Sequence, residues 1–316
     1  MAYSSKQSPI IKDVLSLVVT YQGERTIQEL IESCLFETGH PVSRILVIDN
    51  NSSDKIMEKL QRYRNGLLSV LEMPRNVGVA AAYNLGLERA HNLGVRWLFI
   101  LDQDSVCGKG LLAQVLKTGS SLKEKGRKVG AVCPVVKSVQ FPDSIHLPYN
   151  WDSLGFSPVS VSRTSGDALV RIDSCLTSGT LYNVEALRSV QGFREDYFID
   201  FVDHECHLRL RQQGWEIWWD RGCELFHRLG RRQKQTEQGL WVEHNPERYY
   251  YMARNMLDGH WRFGGWRAST SFLRGMLKHM VCMLRNGEEP MKSYYYILRG
   301  ISDAFLGHFG PFDSKS

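Results

Sequence analysis

Two carboxylates separated by one residue, Asp102-Gln103-Asp104, stand directly behind the apolar run Trp97–Leu101. At a strand end such a pair offers one oxygen to a divalent ion and another to a neighbouring ligand, as a hard Mg2+ or Mn2+ on a diphosphate requires. A solvated acidic turn would have the same composition, so the neighbouring segments decide the reading. The run Ile45–Ile48 ends in Asp49-Asn50-Asn51-Ser52-Ser53-Asp54. There Asp49 is placed to accept hydrogen bonds from a ribose or base, and Ser53 or Asp54 to cap the next helix. After Leu68–Leu71 come Asn76, Gly78, Ala80, Ala81, Ala82 and Asn84. The small residues let a helix start pack against a ligand, with the two asparagines as polar hands. No Walker-type phosphate loop and no glycine-rich dinucleotide fingerprint occurs, so a nucleotide would be held in neither of those ways.

Strand-like and helical patterns alternate to place these motifs: Val14–Val19, helix Thr26–Cys34, Ile45–Ile48, helix Asp54–Tyr63, Leu68–Leu71, helix Val79–His91 and Trp97–Leu101. The alternation predicts an α/β fold with a parallel sheet covered on both faces and a ligand site at the carboxyl ends of its strands. From Lys137 to Gly166 the pattern breaks into a Pro/Ser/Asp-rich excursion or irregular hairpin. Order resumes with strand Ala168–Ile172, helix Asp203–Gln213 stopped by Gly214, and strand Trp215–Trp219. Beyond Arg228 the chain is polar and basic, then helical and aromatic from Pro246.

The 316 residues are 43% hydrophobic and 23% charged, which excludes disordered and collagen-like classes. Seven scattered cysteines with no CxxC pair encode neither a disulfide framework nor a zinc ribbon. No signal-peptide pattern opens the chain, and no apolar run reaches the roughly 18 residues that span a bilayer. The expected location is therefore cytoplasmic. Of 39 basic and 34 acidic residues, 14 and 8 lie in 226–316, leaving 25 and 26 for residues 1–225. The whole net charge of +5 thus comes from the C-terminal part.

In combination, Val18-Val19-Thr20-Tyr21, Asp49 to Asp54, Asn76-Val77-Gly78 and Asp102-Gln103-Asp104 resemble family 2 glycosyltransferases of the GT-A fold, over residues 14–230. Ile172 to Gly179 and Phe198 to Glu205, with the Asp-Gln-Asp-Ser form of the acidic motif, are similar to bacterial rhamnosyltransferases of surface polysaccharide, O-antigen included. The resemblance implies a GT-A, Rossmann-like mixed sheet over 1–230, and charge and periodicity make 231–316 a basic, aromatic, mainly helical extension. It implies that Thr20, Tyr21, Asp49, Asn76, Gly78, Asn84, Asp102 and Gln103 bind the nucleotide-sugar donor. Asp102, Asp104 and His227 would hold Mn2+ or Mg2+, with Asp104 the principal ligand. Asp203 would take the proton of the acceptor hydroxyl, and one base without a second paired carboxylate suggests single displacement with inversion. Asp200 is the rival base, and Ser178, Gly179, Asp200 and Glu205 are candidate acceptor contacts. The implied donor is dTDP-β-L-rhamnose, and the acceptor a saccharide or a polyprenyl-diphosphate-linked saccharide.

His204-Glu205-Cys206-His207 does not have the spacing of a zinc helix, and Cys206 stands where the rhamnosyl group carries an aromatic residue. Arg228, Arg231, Arg232 and Lys234 form a basic loop that either closes over a diphosphate or is simply solvated. The helix with Phe272, Leu273, Met276, Leu277, Met280, Val281 and Leu284 on one face either packs on the catalytic part or lies on a membrane. In the second case residues 246–285 would make the protein peripheral on the cytoplasmic face of the inner membrane. No nucleic-acid signature accompanies the basic residues. The alternatives are a transferase using UDP-galactofuranose, UDP-glucose or UDP-N-acetylglucosamine, and an inactive nucleotide-sugar-binding subunit.

Overall fold

Alternating side chains divide each early strand between two apolar layers. In the computed structural model, Leu15, Leu17 and Val19 of the first strand enter one buried cluster and Val14 and Val18 the other. The structure describes residues 10–35, 42–53, 56–63, 66–160, 166–228, 230–236 and 239–312. Asp54, one of the expected helix caps, lies outside the described residues.

The first half runs β1 (Ile10–Thr20), α1 (Ile27–Leu35), β2 (Val42–Asp49), α2 (Ile56–Gln61), β3 (Leu68–Glu72), α3 (Gly78–Asn92), β4 (Trp97–Asp102), β5 (Ser105–Cys107), α4 (Leu111–Glu124) and β6 (Val129–Ser138). There follow β7 (Ile145–His146), β8 (Tyr149–Asp152), β9 (Gly155–Pro158), β10 (Leu169–Ile172), β11 (Thr180–Asn183), α5 (Val184–Ser189), a 3-10 turn (Glu195–Tyr197), α6 (Val202–Gln212) and β12 (Glu216–His227). A β13 (Arg232–Thr236)–β14 (Gly239–Glu243) hairpin leads into α7 (Pro246–Asn286) and α8 (Pro290–Leu306).

The main sheet has the order β10-β12-β6-β11-β4-β1-β2-β3, with β5 added beside β12 and β7 beside β6. β1 to β4 are parallel, whereas β11 is antiparallel to both β4 and β6, so the sheet is mixed. The excursion after Lys137 contains the antiparallel β8–β9 hairpin. The stretches Trp215–Trp219 and Cys223–Phe226 join into the single strand β12, whose register with β6 shifts between Trp219 and Glu224. The buried Asp220 carboxylate stabilises that bulge by accepting from the Gln114 and Thr118 side chains and the Gly222 N–H.

The C-terminal part differs from a plain helical appendage. Helix α7 breaks at Gly265, where φ is 62° and ψ −155°, values open to glycine. The arm before the break buries Tyr249, Ala253 and Leu257 against Phe272, Met276 and Met283 of the arm after it, and Ile297 of α8 closes the cluster. The same first arm enters the catalytic part: Gly259 meets Phe201 so closely that an added Cβ would lie 2.1 Å from the ring. The face read as one apolar stripe is therefore divided. Phe272 and Met276 point into the bundle, whereas Leu277, Val281 and Leu284 face solvent. Among the described residues no helix is long and apolar enough to cross a membrane.

Candidate active site

Register brings the polar strand ends to one edge of the sheet. Thr20 lies opposite Asp49, and Val19 opposite Asp102. Beyond this edge opens a cleft of about 680 Å3, lined among others by Tyr21, Asn76, Gly78, Asp102, Gln103, Asp104, Asp200, Asp203 and His227. The volume falls in the roughly 300–1,000 Å3 range of small-molecule sites.

Strand pairing assembles the acidic group. The short β5 follows Asp104 directly and runs antiparallel to the end of β12, which sets Ser105 opposite His227 across 122 residues of chain. The ligand atoms of Asp102, Asp104 and His227 lie within 4.8 Å of one another. His227 Nδ1 is 2.8 Å from Ser105 Oγ and 3.4 Å from Asp104 Oδ1, and Nε2 is 3.8 Å from Asp102 Oδ2. Two carboxylates and an oriented imidazole fit a divalent ion of the Mg2+ or Mn2+ kind. Burial pushes the Asp102 carboxyl above its usual range; Asp104 and Asp203 add to this, while His227 and the Tyr83 hydroxyl oppose it. A cation bound here would reverse that push.

The connection from β10 to β11 holds this group from below. Ser178 Oγ accepts the Asp102 N–H at 2.9 Å and pairs with Ser105 Oγ at 2.8 Å. Its neighbour Thr177 donates its backbone N–H to Asp203 Oδ2 at 3.3 Å. Gly179 has a φ of 77°, and a Cβ there would press on Pro134 and Leu225 at 3.0 and 3.1 Å. Ser178 and Gly179 thus support the acidic motif and do not line the cleft.

The two rival acids differ in their partners. Asp203 lies in the first turn of α6 and faces the cleft, with Oδ1 accepting the His204 N–H at 2.8 Å. Both oxygens of Asp200 accept from Arg248 Nε at 3.0 Å, and Oδ1 also accepts from Nη2 at 2.9 Å. Asp200, foremost, raises the Arg248 pKa, and Asp102 and Asp104 add to the effect. Positive φ values at Phe198, Asp200 and Phe201 mark the loop that carries these acids. The buried Asn255 of α7 holds it by donating to the carbonyls of Tyr197, Ile199 and Asp200. Gly78 must be glycine to meet this loop, since φ is 82° and a Cβ would stand 2.6 Å from the Phe198 carbonyl.

Several expected donor contacts are occupied within the protein. Gln103 Oε1 accepts from Thr20 Oγ1 and the Tyr21 N–H at 2.7 and 2.8 Å, tying the end of β1 to the acidic motif. Asp49 is buried below the lining, its carboxylate taken by the Ser52 N–H and hydroxyl. Asn50 faces the cleft instead and bridges Asn76 and the Val77 N–H. Asn84 lies away from the lining and anchors Phe193 and Glu195. Glu205 is buried in an ion pair with Arg209 at 2.7 Å. Expected as an acceptor contact, it does not line the cleft. Arg228 pairs with Glu29, and Arg231 and Arg232 with Glu288, so these three loop cations have carboxylate partners.

His204 and His207, three residues apart on one side of α6, both reach Ser174 Oγ, at 2.6 and 3.0 Å, before their rings diverge. His204 Nδ1 lies 2.6 Å from Ser174 Oγ, and its ring packs edge-on against Tyr149 and tilted against Phe156 and Phe201. His207 is fully buried; Nδ1 accepts the Cys175 N–H, which leaves Nε2 to donate to Tyr182 Oη at 2.9 Å. Burial lowers its pKa to about 3. The sequence reading did not assign Asn50, Tyr83, His204, Arg248 or Asn255. Only Asn50 lay inside a motif with an assigned neighbour at a strand end.

Comparison with known proteins agrees with this architecture. Residues 17–188 match the profile described as Glycosyl transferase family 2. The dTDP-rhamnosyl transferase RfbF of Shigella flexneri is 23% identical over 245 residues, covering 77% of this chain and 78% of the relative. The galactofuranosyltransferase GlfT1 of Mycolicibacterium smegmatis is 25% identical over 206 residues, 64% of this chain and 66% of its own. Staphylococcus aureus TarS 1-349 in complex with UDP-GlcNAc aligns with a TM-score of 0.55 at 16% identity, over 94% of this chain and 83% of that one. GalNAc-T7 with UDP, GalNAc and Mn2+ gives the same TM-score and identity over 68% of this chain. The chain spans 42% of the GalNAc-T7 chain.

Proposed function

The chain belongs to glycosyl transferase family 2, and from that premise we propose an inverting, metal-dependent enzyme that moves L-rhamnose from dTDP-β-L-rhamnose. The acceptor is a saccharide, free or carried on a polyprenyl diphosphate, in cell-surface polysaccharide synthesis at the cytoplasmic face of a membrane. The carrying observation is the pairing of the two acids. Arg248 engages both oxygens of Asp200, while Asp203, which lines the same cleft as Asp102, Asp104 and His227, has no arginine or lysine partner among the described residues.

Asp102, Asp104 and His227 would hold the divalent ion. When bound there, the ion neutralises negative charge on the departing nucleoside diphosphate. The protein supplies the rest. Ser178 and Ser105 keep Asp102 and His227 in position. Tyr21, Asn76 and Gly78 line the donor side, with Asn76 oriented by Asn50. Asp203 takes the acceptor hydroxyl proton onto its carboxylate as that oxygen attacks the anomeric carbon from the face opposite the leaving group. Displacement on one face converts a β-linked donor into an α-linked product. The Thr177 N–H holds the carboxylate in place through Oδ2.

The likeness to a dTDP-rhamnosyl transferase supports rhamnose as the sugar. Likeness to GlfT1 favours galactofuranose as the second reading. A panel of nucleotide sugars incubated with the purified protein and Mn2+ or Mg2+ separates them. Release of dTDP from dTDP-rhamnose above all other donors is expected; turnover of a UDP-sugar alone would overturn the rhamnosyl assignment and leave the family intact.

A further inference from the structure

The outer face of the C-terminal bundle carries an unpartnered apolar surface of unusual order. On the second arm of α7, Trp266, Leu277, Val281 and Leu284 are 64, 63, 50 and 59% exposed, with half-buried Leu273 among them. The positions 266, 273, 277 and 284 share one side of the helix. Each is followed at once by a cation, namely Arg267, Arg274, Lys278 and Arg285, and one residue of helix turns a side chain by about 100°. A row of exposed cations therefore runs along one border of the apolar stripe. Residues 266–286 contain no acid, and among the described residues none of the four cations has a carboxylate partner. Arg231, Arg232, Arg248, Arg262 and Lys292 of the same C-terminal part are all ion-paired.

Helix α8 extends the surface. Met291, Tyr295, Leu298 and Phe305 are 71, 60, 59 and 73% exposed, and all fall on one side of that helix. The seam between the stripes is itself apolar: Tyr294 donates its hydroxyl to the Met280 carbonyl, and Leu273, Met280, Tyr294 and Ile301 pack there half-buried. The bundle core occupies the opposite face of α8 through Ile297 and, on α7, the flank that Phe272, Met276 and Met283 share, about 100° round the helix from the apolar stripe, so the stripe and its row of cations are left to solvent.

We infer that the outer face of α7 after Gly265, together with α8, docks on an anionic lipid surface. Apolar side chains bordered by unpaired cations match a bilayer interface, where acyl chains receive the first and acidic headgroups the second. A second copy of this chain would bring the same unpaired cations to the contact and no acid from 266–286 to meet them. The first arm of α7 takes no part, because Arg254 and Asn255 are buried and donate to the carbonyls of the 196–200 segment of the catalytic part. The cleft is reached from that first arm, through Arg248, Met252 and Met256. Docking would therefore hold the site near the membrane without covering it. The inference is independent of the donor assignment.

The test is sedimentation of the full chain with vesicles of phosphatidylcholine, alone or mixed with phosphatidylglycerol, at low and high salt. Binding only to the anionic vesicles, weakened by salt, is expected. Leu277→Glu with Leu284→Glu should abolish it. Arg274→Glu with Lys278→Glu should weaken it by roughly 30-fold or more, at about five-fold for each cation lost. All substituted side chains are exposed, so thermal melts should match the unsubstituted chain. Three results would overturn the proposal: no sedimentation with anionic vesicles, equal binding to neutral vesicles that ignores the charge reversal, or a dimer in solution that the Leu277→Glu and Leu284→Glu pair dissociates.

Discussion

The parallel strand ends and the first arm of α7 contribute to the lining of one cleft by different means. At the strand ends the groups are short and their order is local: Asp102 ends β4 and Asp104 follows it, and Asn50 follows β2. The helix reaches in with single long side chains set by packing. Arg248 grips Asp200, and Asn255 holds three carbonyls of the loop that leads to Asp203. The family match ends at residue 188, so Asp203, His227 and Arg248 all lie beyond it. The difference teaches that the recognisable part of the chain carries the Asp102 and Asp104 pair and the Thr177 contact, while the rest supplies His227, the candidate base Asp203 and the helix that holds its loop.

Three measurements bear on this division. The largest effect is expected for Asp203→Asn, which should lower kcat roughly 10²- to 10⁴-fold, the range of a general base, while donor affinity stays near normal. Asp200→Asn should cost far less, because that carboxylate serves Arg248; the reverse ranking of the two variants would show that the helix wall guards the base itself. Next comes acid stability. His207 titrates near 6.5 when unfolded and near 3 in the fold, mainly through burial. The unfolded chain therefore binds the proton first, so this contribution is full above pH 6.5 and declines as pH falls toward 3. Between pH 6.5 and 4 the loss is about 3 kcal/mol, and His207→Gln should flatten that part of the profile in denaturant titrations. Smallest is Asn255→Ala, which removes the Asn255 donor from the Ile199 and Asp200 carbonyls, while the Tyr197 carbonyl keeps Arg254, and should cost about 2 kcal/mol. Because it loosens the loop before Asp203, it should also lower kcat; unchanged kcat with lowered stability would make α7 a scaffold only.

The layered α/β plan was legible because β-branched runs alternate with amphipathic helices over the first hundred residues. The Asp102, Asp104 and His227 group was legible through resemblance, yet its geometry depends on the pairing of β5 with β12, which no local pattern encodes. Asp49 and Asn84, expected at the donor, have protein partners that no local pattern shows. Both are polar residues beside motifs, and only the folded chain shows that Ser52 occupies the first and the Phe193–Glu195 turn the second. The half-apolar face of α7 was ambiguous in sequence because burial and exposure divide it: Phe272 and Met276 settle inward, Leu277 and Val281 outward.

Thr177 and Ser178 are consecutive, one contacting Asp203 and the other Asp102. A single peptide link thus yokes the candidate base to the candidate metal group, like two pans on one beam. A displacement of this link moves both acids together, so a change that retunes the donor side also shifts the acceptor side. Substitutions that alter sugar choice without harming turnover should therefore gather on the Tyr21 and Asn76 side of the cleft, away from that beam.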